Sequence, residues 1–250
     1  GPGVNGGNSM GVRSVPGRYD ATFIPGYKSS PDPAAATAPL AVISQSGAFA
    51  IARLDRLAYL RPRYLVTLGN QLDLTAGDYL AFWQEDPAVE VFACYLEGFR
   101  PGDGSCFLDA SARLRARGGV VILYLGGRTP AGAATASSHT ASLAPDHRVA
   151  GTLAAAAGVL VADTLEDFED LLRVAVALRD RIPALRRAVV IGGGLLGLEL
   201  AASLAAADLS VTVVEVAERL LPRQLDPAGG VLVRELLERR GIAFRLSGTV

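Results

Sequence analysis

The sequence predicts an α/β protein with two successive parallel sheets. Short, apolar, β-rich runs alternate with helical segments from about residue 40 onward, and this alternation is typical of parallel strands joined by right-handed crossovers. Five strand–helix units precede the segment RIPALRR at 181–187, and a Gly-rich turn opens a new series after it. We therefore predict a doubly wound, flavodoxin-like parallel sheet followed by a partial Rossmann dinucleotide-binding unit.

Three regions follow from the pattern along the chain. Residues 1–38 are rich in Gly, Pro, Ser and Ala, and we expect them to be irregular and extended. The flavodoxin-like domain is expected at 39–182, with strands at 40–43, 64–68, 89–96, 120–125 and 158–162. Thr164 is the expected cap of its last helix, while Tyr79 and Trp83, at helical spacing, are expected to be packing residues.

The composition excludes several classes of function. The 250 residues carry a net charge of −1, so no basic surface for nucleic acid is expected. No apolar run reaches the roughly 18 residues of a membrane span, and two cysteines are too few for a disulfide framework or a metal site. We expect a cytoplasmic protein with no membrane or nucleic-acid partner. The chain begins without Met and ends in LSGTV, so we expect a fragment.

Polar and small residues follow four of the predicted strands in the first domain. SQSG at 44–47 follows the first strand, GN at 69–70 the second, Glu97 the third, and a loop with Arg128 and His139 the fourth. Because the carboxyl ends of parallel strands share one edge of the sheet, where ligands bind, we expect these groups on one rim. The helix start after SQSG would bind an anion through its backbone N–H groups and dipole.

His139 has the chemistry for phosphoryl transfer. A neutral imidazole, with an ordinary pKa of about 6.5, is a good nucleophile near neutral pH and takes a phosphoryl group as a covalent intermediate. Glu97 would fix the tautomer through the other ring nitrogen. The residues alone leave simpler interpretations open, namely a solvated glutamate and a surface histidine. His147, the other histidine of the chain, is expected to have no catalytic role.

Six ordered segments carry a family resemblance. They are GGNSMGVRSVPGRYDATFIPGYK, AVISQSGAF, TLGNQLDLTAGDYL, VFACYLEGF, ILYLGGRTPAG and SSHTASLA. Over about residues 5–180 the chain resembles the NDP-forming acyl-CoA synthetases, relatives of succinyl-CoA synthetase. In that family the histidine of the S-H-T motif is phosphorylated, here His139, and the glutamate of Y-x-E-G steadies it, here Glu97. Ala141 and Pro145 stand where the family has glycines.

The resemblance also implies binding regions, a reaction and partners. The expected phosphate-binding residues are Ser44, Gln45, Ser46, Gly47, Asn70 and Arg128, and those at the CoA and acyl end are Gly7, Asn8 and Ser9. The implied reaction converts acyl-CoA, phosphate and NDP into acid, CoA and NTP through acyl phosphate and phosphohistidine. It implies CoA-binding and ATP-grasp domains or subunits, a small-molecule acyl substrate, and Mg²⁺ with the nucleotide. The segment 1–38 would then be left from the preceding CoA-binding domain.

The third region, expected at 183–250, carries a dinucleotide fingerprint. Gly192, Gly194 and Gly197 form G-x-G-x-x-G between a predicted strand and a helix, and Glu215 ends the next strand. The glycines allow a tight turn, the approach of a pyrophosphate and close helix packing, while an acidic residue bonds a ribose 2′-hydroxyl and favours NAD(H). A generic Gly-rich turn is the alternative.

Residues 186–250 resemble the NAD(H)-binding insert of FAD-dependent pyridine nucleotide–disulfide oxidoreductases of the nitrite and rubredoxin reductase types. No redox cysteine pair or FAD segment accompanies it, so FAD is expected only in a complete reductase. The leading hypothesis is a fragment of an NDP-forming acid–CoA ligase fused to this partial unit. The alternatives are an NAD(H)-dependent FAD oxidoreductase fragment with a non-catalytic ligase-like domain, and a non-catalytic CoA- or nucleotide-binding module.

Overall fold

A computed structural model describes residues 3–23, 36–57, 60–127, 147–181, 185–222 and 224–247. The chain divides into two compact units, a first unit of Gly1–Asp180 and a second unit of Arg181–Val250. Each unit has its own sheet and its own core.

The described part of the first unit forms a seven-stranded sheet. Its strands are β1 (Val12–Ser14), β2 (Tyr19–Asp20), β3 (Ala38–Ser44), β4 (Pro62–Thr67), β5 (Val91–Leu96), β6 (Val120–Leu125) and β7 (Leu160–Ala162). The order across the sheet is β2-β1-β4-β3-β5-β6-β7, and all pairs from β4 to β7 are parallel. Numbered along the chain, the five parallel strands lie in the order 2-1-3-4-5 across the sheet. This order confirms the predicted flavodoxin-like fold.

The prediction that residues 1–38 are wholly irregular is wrong. β1 pairs antiparallel with β2, with Arg13 opposite Asp20, and antiparallel with β4, with Val12 opposite Val66. The segment therefore adds an antiparallel edge to the parallel sheet. Strands of three and two residues are too short to show the alternation on which strand prediction depends, so their pairing is decided by β4 rather than by local pattern.

Five helices connect the described strands of the first unit. They are α1 (Gly47–Arg56), α2 (Ala76–Trp83), α3 (Asp103–Ala116), α4 (His147–Ala156) and α5 (Leu165–Arg181). Thr164 caps α5 as predicted: its hydroxyl accepts from the Asp167 backbone at 3.0 Å, and the Asp167 carboxylate accepts from the Thr164 backbone at 2.9 Å.

One apolar core lies on each face of this sheet. Phe92 belongs to one core and its neighbour Val91 to the other, because successive side chains of a strand point to opposite faces. Trp83 is buried, and its ring centroid lies 5.3 Å from that of Tyr64 and 5.7 Å from that of Tyr79. These contacts confirm Tyr79 and Trp83 as packing residues.

The described part of the second unit is a three-stranded parallel sheet with two helices. Its elements are β8 (Arg187–Ile191), α6 (Leu195–Ala206), β9 (Ser210–Glu215), α7 (Pro227–Glu238) and β10 (Ala243–Leu246), and the strand order is β10-β9-β8. This is the strand order of the first half of a Rossmann fold, as predicted. No helix among the described residues of the chain is long and apolar enough to cross a membrane.

Candidate functional site

The register of the first sheet brings the carboxyl ends of four strands to one edge. Ser44, the last residue of β3, is paired with Thr67 at the end of β4 and with Tyr95 near the end of β5. Tyr95 is in turn paired with Tyr124 of β6. The residues that follow these four strands therefore leave the sheet side by side, as the sequence predicts.

The start of α1 is shaped by the SQSG residues themselves. The Ser46 hydroxyl caps the helix by accepting from the Phe49 backbone at 3.3 Å, and the Ser44 hydroxyl donates to the Ser46 carbonyl at 2.6 Å. A Cβ at Gly47 would lie 2.8 Å from the Cβ of Met10, so a larger residue would collide with the N-terminal segment. Ser44, Ser46 and Gly47 thus lie together at a helix N-terminus, where the helix dipole favours an anion.

Gln45 connects this helix start to the turn after β5. Its side chain is 3 % exposed, and its Oε1 accepts from the backbone N–H groups of Glu97 at 2.8 Å and Gly98 at 3.2 Å. Its Nε2 has no hydrogen-bond partner among the described residues. The carboxamide oxygen is therefore engaged with the Glu97 turn. The amide nitrogen of Gln45, a residue that the resemblance assigns to the phosphate site, is left as a donor.

Glu97 is half-buried, and Oε1 of its carboxylate accepts from the Tyr95 hydroxyl at 3.1 Å. The Tyr95 ring stacks on Phe49 of α1, with centroids 3.8 Å apart and planes at 10°. Burial, together with the Glu97 carboxylate, raises the pKa of the Tyr95 phenol, so the phenol keeps its proton as a donor. Tyr95 is not among the predicted site residues, although its position two residues before Glu97 places both on the same side of the strand.

The GN turn after β4 contacts the same region. Asn70 is exposed, and its backbone donates to the Gly7 carbonyl at 3.0 Å. The neighbouring Gln71 is fully buried, and its Nε2 donates to the Gly98 carbonyl at 3.2 Å. Gln71 therefore holds the Glu97 turn together with Gln45. It is not among the predicted site residues.

The residues expected at the CoA and acyl end lie next to the carboxyl end of β4. Gly7 contacts Asn70, and Asn8 adopts a left-handed backbone with φ 59°. The Ser9 hydroxyl donates to the Thr67 carbonyl at 2.6 Å and accepts from the Gly11 backbone at 3.1 Å. The N-terminal segment is thus brought to the rim, where the Ser9 side chain anchors the turn.

Arg128 and His139 lie outside the described residues. β6 ends at Leu125, and a Cβ at the next residue, Gly126, would lie 2.7 Å from the Tyr95 hydroxyl. His147 begins α4 and lines a cavity of about 540 Å³ together with Leu125. Neither of its ring nitrogens has a hydrogen-bond partner in the described part of the chain. This position makes His147 a useful control for His139.

The Gly-rich turn of the second unit has the shape that its glycines predict. Gly192 has a positive φ of 110°, and a Cβ at Gly197 would lie 2.0 Å from the Gly192 carbonyl oxygen. A Cβ at Gly194, the residue before α6, would meet no atom within 4 Å, which leaves its backbone approachable. Tight turn, open second glycine and close packing at the third are the features of a dinucleotide turn.

Glu215 closes this turn from the end of β9. Its carboxylate accepts from the backbone N–H groups of Gly193 at 2.5 Å and Ala217 at 2.8 Å. The hydrogen bonds from Ala217 and Gly193 lower the pKa of Glu215 below its ordinary value. The carboxylate is therefore held next to the turn, with acceptor capacity left on both oxygens. Among the described residues, no group of three or more His, Cys, Asp or Glu side chains is placed to hold a metal ion.

Comparison with known families finds a match for each unit. Residues 37–175 match the family described as "Succinyl-CoA ligase like flavodoxin domain". The chain belongs to this family. Residues 187–250 match the family described as "Pyridine nucleotide-disulphide oxidoreductase". Both resemblances drawn from the sequence motifs are thereby confirmed.

Curated relatives of the ligase family are similar to the larger part of the chain. The alpha subunit of acetate–CoA ligase [ADP-forming] I from Pyrococcus furiosus is 31% identical over 177 residues, which cover 68% of this chain and 35% of that protein. Acetate–CoA ligase [ADP-forming] from Methanocaldococcus jannaschii is 28% identical, over 68% of this chain and 23% of that protein. The chain thus spans about a third of the length of these relatives or less.

Two further similarities concern the second unit and the fold. Rubredoxin-NAD(+) reductase from Pseudomonas putida is 37% identical over 90 residues, which cover 36% of this chain and 22% of that protein. The structure of dinucleotide forming acetyl-coenzyme A synthetase 1 from Ca. Korarchaeum cryptofilum, in complex with phosphate and ADP, has a TM-score of 0.63 at 23% identity. The superposition covers 99% of this chain and 63% of that chain. This likeness supports the α/β fold described above.

Proposed function

We propose that the first unit is the phosphohistidine domain of an NDP-forming acid–CoA ligase. The observation that carries the proposal is the convergence of the α1 N-terminus, Gln45 and the Glu97 turn at one sheet edge. An anion-binding helix start and a carboxylate are the two groups that a phosphorylated histidine requires. The ADP-forming acetate–CoA ligases among the relatives support this reaction class.

The proposed chemistry passes one phosphoryl group through His139. Acyl-CoA and phosphate give acyl phosphate and free CoA. A ring nitrogen of His139 then attacks the phosphorus, the P–O bond to the acyl carboxylate breaks, and the acid leaves with that electron pair. A terminal oxygen of NDP attacks next, the N–P bond breaks, and NTP and the neutral imidazole are released. Glu97 stabilises the ring while it carries positive charge, and the start of α1 receives the phosphoryl oxygens.

The remaining assigned residues complete this proposal. Asn70 and Arg128 join the phosphate site, and the turn Gly7–Ser9 lies at the CoA and acyl end. CoA-binding and ATP-grasp domains or subunits supply the other substrate sites. The described residues offer no carboxylate cluster for Mg²⁺, so we assign that ion to the nucleotide partner. A cytoplasmic location stays a prediction from composition.

Phosphorylation of the chain by radiolabelled acetyl phosphate tests the proposal. We expect one acid-labile, base-stable phosphate per chain, mapped to His139 by peptide mass spectrometry. His139→Ala should abolish the label, whereas His147→Ala, at the other histidine of the chain, should keep it. Loss of label in His147→Ala alone would show that the wrong histidine has been assigned. A wild-type chain without label would favour one of the two alternatives, the oxidoreductase fragment or the non-catalytic binding module.

For the second unit we propose NAD(H) binding at the turn Gly192–Gly197. The observation that favours it is the open backbone at Gly194 beside the carboxylate of Glu215. Gly192 would allow the tight turn, the open backbone at Gly194 would admit the pyrophosphate, and Gly197 would let the helix pack closely. Glu215 would accept from the ribose 2′-hydroxyl. Bound NAD(H) would supply hydride chemistry. FAD is expected only where a complete reductase is present. NADH fluorescence should report binding that Gly194→Val abolishes and that exceeds NADPH binding; equal binding by Gly194→Val would contradict the site.

A further inference from the structure

We infer that Tyr95 is a positioning residue that fixes the Glu97 carboxylate for the phosphohistidine step, an inference that rests on the proposed function. The two residues lie two positions apart, and the phenol donates to Oε1 of Glu97 at 3.1 Å. No other side chain donates to that carboxylate among the described residues. The orientation of Glu97 therefore depends on one hydroxyl group.

The need for such a contact follows from the torsions of glutamate. The last torsion of a Glu side chain is broad and roughly two-fold, so a free carboxylate samples many orientations. The Gln45 carboxamide fixes the Glu97 backbone, but a backbone contact does not fix the end of the side chain. A hydrogen bond to Oε1 does, and it leaves Oε2 to accept from an imidazole N–H.

The phenol is itself held by its packing. Phe49 stacks on the Tyr95 ring at 3.8 Å, and Tyr124 lies beside it with ring centroids 5.8 Å apart. Phe49 is the residue whose backbone N–H donates to the Ser46 cap of α1. One aromatic pair therefore links the helix start that receives phosphate to the carboxylate that supports the histidine.

Gly126 limits the space around the hydroxyl. A Cβ there would lie 2.7 Å from Oη of Tyr95 and 3.1 Å from its Cζ. The rigid ring has little freedom to retreat, because Phe49 covers its face. An alanine at position 126 should therefore push the hydroxyl away from Glu97 without changing Tyr95 itself.

The test measures the rate of His139 labelling by acetyl phosphate over a range of donor concentrations. Tyr95→Phe keeps the ring and removes the hydroxyl, and we expect the maximal rate to fall about tenfold, as for the loss of one hydrogen bond to a charged group. The donor concentration at half-maximal rate should stay unchanged. Tyr124→Phe is the matched control, because its hydroxyl has no hydrogen bond among the described residues, and it should label at the wild-type rate.

Two double variants separate positioning from a general effect on packing. If Tyr95 acts through Glu97, Tyr95→Phe should slow a Glu97→Gln chain no further. Gly126→Ala should reproduce the loss seen in Tyr95→Phe, and the loss in the pair should be smaller than the sum of the two, since both changes remove the same hydrogen bond to Glu97. Wild-type rates in Tyr95→Phe, or losses that add in the double variants, would overturn the inference. An unlabelled wild-type chain would overturn the proposed function and this inference with it.

Discussion

The carboxamide oxygen of Gln45 lies 2.8 Å from the backbone nitrogen of Glu97 and 3.2 Å from that of Gly98. Gln71 holds the same turn from the other side through the Gly98 carbonyl. Two buried glutamines, from the loops after β3 and β4, therefore fix the loop after β5. The position of Glu97 is set by residues distant in sequence.

Replacing Gln45 by methionine should destabilise the first unit. The substitution removes the acceptor for two backbone N–H groups, and a buried donor without a partner costs about 1–3 kcal/mol. We expect the free energy of unfolding in urea to fall by about 2 kcal/mol. Gln84→Met is the control, since the Gln84 side chain is hydrogen-bonded only to the Arg113 side chain in the described residues, and it should change stability by less than about 0.5 kcal/mol. Equal losses in the two variants would contradict the role of Gln45.

Glu97→Gln should leave the fold intact and shorten the lifetime of the phosphohistidine. The neutral amide keeps the size of the carboxylate but loses the charge that supports the phosphorylated ring. Circular dichroism should be unchanged, while the label on His139 should form more slowly or decay faster than in wild type. Labelling and decay rates identical to wild type would remove Glu97 from the mechanism.

Asp103→Asn should change how stability depends on pH. Asp103 is 5% exposed, and its Oδ1 accepts from the Thr75 hydroxyl and the Gly77 backbone, whereas Oδ2 has no partner among the described residues. Burial raises its pKa above the ordinary value of 3.8. The folded state therefore holds this proton more tightly, and stability is lost as pH rises from 3.8 through the raised pKa.

In Asp103→Asn the side chain at position 103 does not titrate, so this variant does not lose stability through deprotonation of that residue. Relative to wild type, its free energy of unfolding should increase between pH 4 and pH 7, as followed by urea titration at several pH values. Asp109→Asn, an exposed position on the same helix α3, should follow the wild-type curve. A wild-type-like curve for Asp103→Asn would show that its carboxyl does not titrate as proposed.

Met10→Ala should show that the N-terminal segment is part of the first unit. Met10 is 2% exposed and packs in one cluster with Ala50 and Leu65. A buried methionine truncated to alanine costs about 2–5 kcal/mol, so the melting temperature should fall clearly. Val15→Ala, at a side chain 39% exposed, should melt close to wild type. If the two variants melt alike, the segment contributes no core.

Limited proteolysis tests the division into 39–182 and 183–250, which remains a proposal. We expect the first cut within 181–187 and a stable first unit afterwards. The second unit, of about 70 residues, is near the size at which one core gives marginal stability, so it should be degraded next. A first cut inside 39–182 with protection at 181–187 would indicate one integrated domain.

Local pattern predicts the parallel sheets, the α5 cap at Thr164 and the turn at Gly192–Gly197, because each depends on residues close in sequence. β1 and β2 escaped prediction because their pairing is set by β4. Tyr95 and Gln71 were not predicted for a similar reason. Their roles depend on which loops lie next to them in the fold, and strand register decides this. The phosphate-binding role expected for Gln45 stays a prediction, while its oxygen accepts from the backbone of the Glu97 turn.

The pairing of β1 with β4 has a consequence for solubility. β4 is six residues long, and Leu65 and Val66 within it are 1% exposed. β1 and the two-residue β2 cover its outer edge, and very short terminal strands are one way in which proteins avoid edge-to-edge association. A chain lacking residues 1–37 would present β4 as an open edge six residues long. Such a chain should aggregate during purification, even where its parallel core still folds.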